Sequence, residues 1–132
     1  MMFNKLMICA AALTMVAASS KPVEHFVTEQ GSIESGGTQQ LWVRVTPEDG
    51  WKFNTDYPTK AKMNTPGYDL IKTEVHKEEE SRAHKIQMTV TRQKGKLTRE
   101  AVAVEAKFSV CSDTSCLVYK KEFTFCRGVT CK

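Results

Sequence analysis

The chain has 132 residues, 41% of them hydrophobic and 26% charged, and a formal net charge of +4 at pH 7. That length is one domain's worth and can bury a real core. The charge is mild and interspersed, which excludes the clustered basic face that nucleic acid calls for, and there is no Gly-rich phosphate loop, serine nucleophile elbow or zinc-protease helix motif.

Residues 1–18 read as a signal peptide. Lys5 supplies the positive n-region, the stretch 6–18 is the apolar h-region, and Val16-Ala17-Ala18 is a small-residue cleavage site, with Ser20 as the later alternative. The apolar run is shorter than the ~20 residues a membrane span needs, so no stable insertion is expected after cleavage. Cys9 lies inside the run behind the bulky Ile8, which argues against a lipid-modified cysteine. Removal of the peptide leaves residues 19–132 as a single domain with four of the five cysteines. The exported context, periplasmic or secreted, is oxidising, so disulfides are expected.

Residues 21–38 are polar and carry Gly31, Gly36 and Gly37. They predict an N-terminal strand broken by turns, with Val23, Phe26 and Val27 available to dock it. Residues 40–46 alternate, placing Leu41, Val43 and Val45 on one face. Pro47-Glu48-Asp49-Gly50 is a turn, because proline presets φ and glycine tolerates positive φ. Residues 51–54 form a short strand, and Tyr57-Pro58 opens another extended segment. Thr65-Pro66-Gly67 turns the chain into a strand over 68–75, and the charged run 76–82 reads as a solvated loop. Residues 83–92 alternate with Ile86, Met88 and Val90 inward, and residues 93–96 turn the chain again. A long strand over 97–111 and a returning strand over 116–125 complete seven or eight short strands at roughly ten-residue intervals, with no helix. This pattern predicts an all-β antiparallel sandwich.

The last two strands meet at a cysteine hairpin. Val102, Val104, Ala106, Phe108 and Val110 recur every second residue, Ser112-Asp113-Thr114-Ser115 are turn formers, and Cys111 and Cys116 sit at the lips. If they face each other, their Cα atoms lie roughly 4.5–5.5 Å apart, within the disulfide range of about 4.4–6.8 Å. A loop of about six residues gives only about 2 kcal/mol in the chain-entropy model. Two readings therefore stand side by side: a structural staple, or a reducible pair. Lys107, Lys120 and Lys121 would favour a thiolate if they point inward and Asp113 would oppose it, against a solvated face as their alternative role. Cys126 and Cys131 repeat the spacing. A regular register puts Cys126 opposite about Ala101, about 33 Å along the strand from Cys111, so a local 126–131 bridge that pins the tail is preferred. The same separation and the C-x4-C spacing disfavour zinc, and no metal site is expected. His25, His76 and His84 show no ligand spacing, and His76 and His84, flanking the charged loop, are expected to be exposed.

The run Lys107-Phe108-Ser109-Val110-Cys111-Ser112-Asp113-Thr114-Ser115-Cys116-Leu117 resembles the cysteine hairpin of the N-terminal periplasmic domain of the thiol:disulfide interchange protein DsbD. Upstream, Gly50-Trp51-Lys52-Phe53-Asn54-Thr55-Asp56-Tyr57-Pro58 resembles that family's Gly-aromatic-x-Asn-x-x-Tyr-Pro segment. The resemblance spans about residues 38–125 and implies an immunoglobulin-like sandwich. It implies that Cys111 and Cys116 are the catalytic pair, accepting electrons from a membrane donor and passing them to periplasmic thioredoxin-like proteins without a cofactor. It also implies that Trp51, Phe53 and Tyr57 shield the pair or contact the partner, against sandwich core as their alternative role. The competing functional expectation is a non-catalytic binding or structural module that uses both bridges as staples.

Overall fold

The structure is a computed structural model that describes residues 23–96 and 100–126. The expected signal peptide, residues 97–99 of the long strand, and Cys131 lie outside the described residues. Eight strands run in chain order among the described residues: β1 Phe26–Ser35, β2 Thr38–Pro47, β3 Lys52–Phe53, β4 Lys60–Met63, β5 Tyr68–Lys77, β6 His84–Arg92, β7 Ala101–Cys111 and β8 Cys116–Cys126. They form two antiparallel sheets. Sheet A has the order β1-β2-β6-β5. In sheet B, β7 pairs with β8 along its whole length, and its other edge is shared by β3, opposite Val110 and Cys111, and β4, opposite residues 104–107. The result is an immunoglobulin-like β-sandwich.

Alternation builds the interior, since successive side chains on a strand point to opposite faces. Leu41, Val43, Val45, Ile86 and Met88 of sheet A are fully buried, and so are Val102, Val104, Ala106, Phe108 and Val110 of sheet B. Phe108 stands at the centre of a ring cluster, 5.2 Å from Phe26 and 6.0 Å from Phe53 between centroids. Tyr119 joins it, and its hydroxyl donates to the Val23 carbonyl at 2.8 Å. Burial pushes that phenol's pKa up, so it remains a donor.

The predicted turns are in place: Gly50 and Gly67 have φ of 86° and 88°. Three local expectations change. β1 is continuous rather than broken, because all ten of its residues pair with β2. Of its three docking candidates only Phe26 is buried, while Val23 and Val27 are 69% and 66% exposed. β5 runs on through His76 and Lys77, which pair with Lys85 and His84, so the loop is confined to 78–83 and turns at Glu80, with φ 61°. A bulge between Leu70 and Lys72 shifts the β5 register, and Ile71 there faces solvent.

Candidate functional site: the cystine at the β7–β8 tip

The hairpin tip closes on itself. The Ser112 N–H donates to the Ser115 carbonyl at 2.7 Å, and the Ser112 hydroxyl accepts from the N–H groups of Thr114 and Ser115 at 3.3 and 3.2 Å. With 112 and 115 as a hydrogen-bonded pair, the alternation of an antiparallel ladder makes 111 and 116 a non-hydrogen-bonded pair, where side chains come closest. Cys111 and Cys116 are register partners and are joined by a disulfide, with Cα atoms 4.0 Å apart, closer than the 4.5–5.5 Å expected. Val110 points into the core, so the cystine projects from the outer face of sheet B. Cys116 is exposed and Cys111 half-buried.

The other edge of β7 supplies a residue that sequence reasoning missed. Lys52 is the register partner of Cys111, while its neighbour Phe53 faces the core. Lys52, Cys111 and Cys116 therefore form one row across three strands. Alternation around the buried Phe53 gives the side Lys52 faces, but no local pattern reveals which strand β3 joins.

Asn54 of the Gly-aromatic segment has a definite task. Its N–H donates to the Ser109 carbonyl at 2.8 Å, and its side-chain amide lies 3.4 Å from the Ser109 hydroxyl. Its own Oδ1 accepts from the Asp56 N–H at 3.1 Å, closing an Asx turn. Asn54 thus clamps the β3–β4 connection, which carries Tyr57, to β7 two residues before Cys111. Ser109 beneath it is 1% exposed although it lies on the outer face.

The aromatic candidates separate. Phe53 is a core residue sandwiched between His84 at 4.6 Å and Phe108, on the opposite face from the cystine. Trp51 is half-buried and stacks on His25 with centroids 4.0 Å apart, and His25 bonds Glu48 at 2.6 Å. Tyr57 is half-buried on the clamped connection, and among the described residues it makes no ring contact. Of the lysines expected near the pair, Lys107 and Lys120 lie on the outer face. Lys121 does not: it turns the other way to Glu24 at 2.6 Å and over the Phe26 ring. Asp113 is exposed in the turn.

Cys126 pairs with Ala101 at the far end of the ribbon, as the register argument expects. It is disulfide-bonded, and its expected partner Cys131 lies outside the described residues. His84 corrects an expectation: it is 8% exposed rather than solvated, because alternation along β6 turns it inward against Phe53. Burial pushes its pKa down, helped by the nearby Lys77 charge and opposed by a hydrogen bond to the Arg82 backbone. Among the described residues no group of three or more His, Cys, Asp or Glu side chains could hold a metal ion, and no helix is long and apolar enough to cross a membrane.

No protein-family model matches the chain, and no curated protein matches it. Among solved structures it is similar to the DsbD N-terminal domain of Neisseria meningitidis in the reduced form. That similarity has a TM-score of 0.45 and 18% identity, covering 77% of this chain and 85% of that one. It is also similar to ACE19, the collagen-binding subdomain of the Enterococcus faecalis surface protein ACE, with a TM-score of 0.41 and 5% identity, covering 82% of this chain and all of that one.

Proposed function

We propose that this chain is an exported thiol–disulfide exchange module, periplasmic, whose reactive bond is Cys111–Cys116. The observation that carries the reading is where the cystine sits. It lies at the solvent-facing tip of a ribbon whose eleven register pairs run unbroken from Ala101–Cys126 to Cys111–Cys116, so packing and backbone pairing already hold the strands together. A bridge placed there adds little to the fold and is open to an incoming sulfur. The two sulfurs are not equivalent, since Cys116 is exposed and Cys111 half-buried.

In the exchange, a partner thiolate attacks Cys116 Sγ. The Cys111–Cys116 bond breaks, its electron pair leaves on Cys111 Sγ, and a mixed disulfide joins Cys116 to the partner. The partner's second thiolate then attacks its own sulfur in that mixed disulfide and displaces the Cys116 thiolate. Two electrons have moved to this chain, both cysteines take up protons, and the partner keeps the new disulfide; the reverse sequence passes the electrons on. Lys52 beside Cys111 favours the leaving thiolate. The partners that fit are thioredoxin-like dithiol proteins, with a membrane protein as electron donor, and the reaction uses sulfur chemistry alone.

The deciding experiment equilibrates the mature protein against glutathione and thioredoxin buffers, with trapped cysteines mapped by mass spectrometry. Selective reduction of Cys111–Cys116 well above about −300 mV, the upper bound for structural disulfides, is the expected result. If the pair resists until the protein unfolds, the bridge is a staple and the chain is a binding or structural module.

A further inference from the structure

The two outer faces of the sandwich treat charge differently. On sheet A the cations are neutralised. Arg44 bonds Glu29 at 2.9 Å and also Glu78, Lys85 reaches Glu78 at 3.7 Å, and Lys72 bonds Glu74 at 3.1 Å. On sheet B, register places Lys60 opposite Lys107 and Lys107 opposite Lys120, so three exposed lysines stand side by side across three strands. Among the described residues none of these three side chains, nor that of Lys52 beside the cystine, makes an ion pair or hydrogen bond, while the next row on the same face holds Lys62, Glu105 and Glu122. Like charges directly opposite one another are destabilising, so this row is a local cost that the other face avoids.

The lysine row and the cystine belong to one surface. Four residues separate them along each strand, or about 13 Å. Between them Val118, 50% exposed, projects beside Cys116. A specific protein partner covers about 800 Å² per side, a disc of roughly 16 Å radius. Any protein that brings a sulfur to Cys116 over this face therefore covers the lysines as well. An acidic surface would neutralise them, and a basic one would be penalised.

We infer that the outer face of sheet B, from Cys116 to the Lys60–Lys107–Lys120 row, is a docking surface for an acidic dithiol protein. Val118 forms its apolar centre, and the four lysines form a charged rim that steers and orients the partner. This rests on the exchange reading above and adds the chemistry of the partner's surface to it.

The test uses the oxidised, folded chain and two single-cysteine peptides of equal length, one Asp-rich and one Asn-rich. Their rates are normalised to those with a neutral small disulfide, and opening is read by alkylating the freed Cys111. The acidic peptide should react about tenfold faster at low ionic strength. That advantage should vanish in about 0.5 M salt and shrink severalfold in K60Q/K107Q/K120Q, which keeps Lys52, should melt no lower than the wild type and should react unchanged with the Asn-rich peptide. Equal rates in the wild type, or an acidic preference undiminished in the triple variant, overturn the inference. If neither peptide opens the cystine, the exchange reading fails, and the surface is tested separately with a Ser-for-Cys acidic peptide at equilibrium. Salt-sensitive binding lost in the triple variant upholds the acidic-partner surface, and no binding overturns it. Binding to phosphatidylglycerol vesicles without binding to the acidic peptide also overturns it, in favour of a membrane surface.

Discussion

At the scale of single residues, three positions carry predictions. A Cβ on Gly31 would stand 2.5 Å from Cζ2 of Trp42, whose ring lies over that backbone between the Arg44 and Lys85 charges, each 5.2 Å from its centroid. Gly31→Ala should displace the indole and cost about 1 kcal/mol, a typical single-site loss, with a shift in tryptophan emission measured beside the melt. His84 is buried, and its Nδ1 has no hydrogen-bond partner among the described residues. Its folded pKa is depressed, so below the unfolded value of about 6.5 the unfolded chain takes up a proton that the folded chain resists. Stability should therefore fall as pH drops from 7 toward 5, and His84→Gln should flatten that slope in pH-dependent melts. Lys52→Gln should slow exchange about two- to fivefold, the scale of an exposed charge contact, without changing the melt. Lys107, Lys120 and Lys121 were legible as neighbours of the pair in sequence, but not that Lys121 turns the other way, to Glu24. Lys52 was not, because only the pairing of a two-residue strand brings it to Cys111.

At the scale of elements, the β7–β8 ribbon was the most legible part of the chain. Period-two valines on β7 and polar turn formers at 112–115 are local signals, and they fix the register as far as Cys126 opposite Ala101. The bridge contributes little to this register. Cys111→Ser/Cys116→Ser should cost about 2 kcal/mol or less in denaturant melts, the loop-closure value for so short a ring. Phe108→Ala, which removes the ring at the centre of the core, should cost about 3–5 kcal/mol. β1 and the end of β5 were harder to read. Their residues are mostly polar, and they are strands because neighbouring strands offer complete ladders, at Phe26–Pro47 through Ser35–Thr38 and at His76–Lys85 and Lys77–His84. A propensity-based reading cannot see a partner that lies elsewhere in the sequence.

At the scale of the whole molecule, the sandwich class followed from strand count and spacing, but the order β1-β2-β6-β5 and the sharing of one β7 edge by β3 and β4 did not. Those choices are made by non-local packing. The opposed lysines of sheet B and the paired charges of sheet A are likewise invisible until the registers are known, although each residue is plain in the chain. Closure of the sandwich also joins distant segments: the Tyr119 hydroxyl holds the Val23 carbonyl, Lys121 holds Glu24, and the Gln30 amide reaches the Thr124 carbonyl at 2.8 Å. The last strand therefore completes the seat of the first one. Until residues 119–125 are available, Phe26 and Phe108 lack Tyr119 as a neighbour, and the interior has no Phe123 or Phe125. A topology closed by such remote contacts folds in milliseconds to seconds rather than microseconds. The interior is consequently complete only when β8 is present, and a chain truncated before Cys116 should show no cooperative melt.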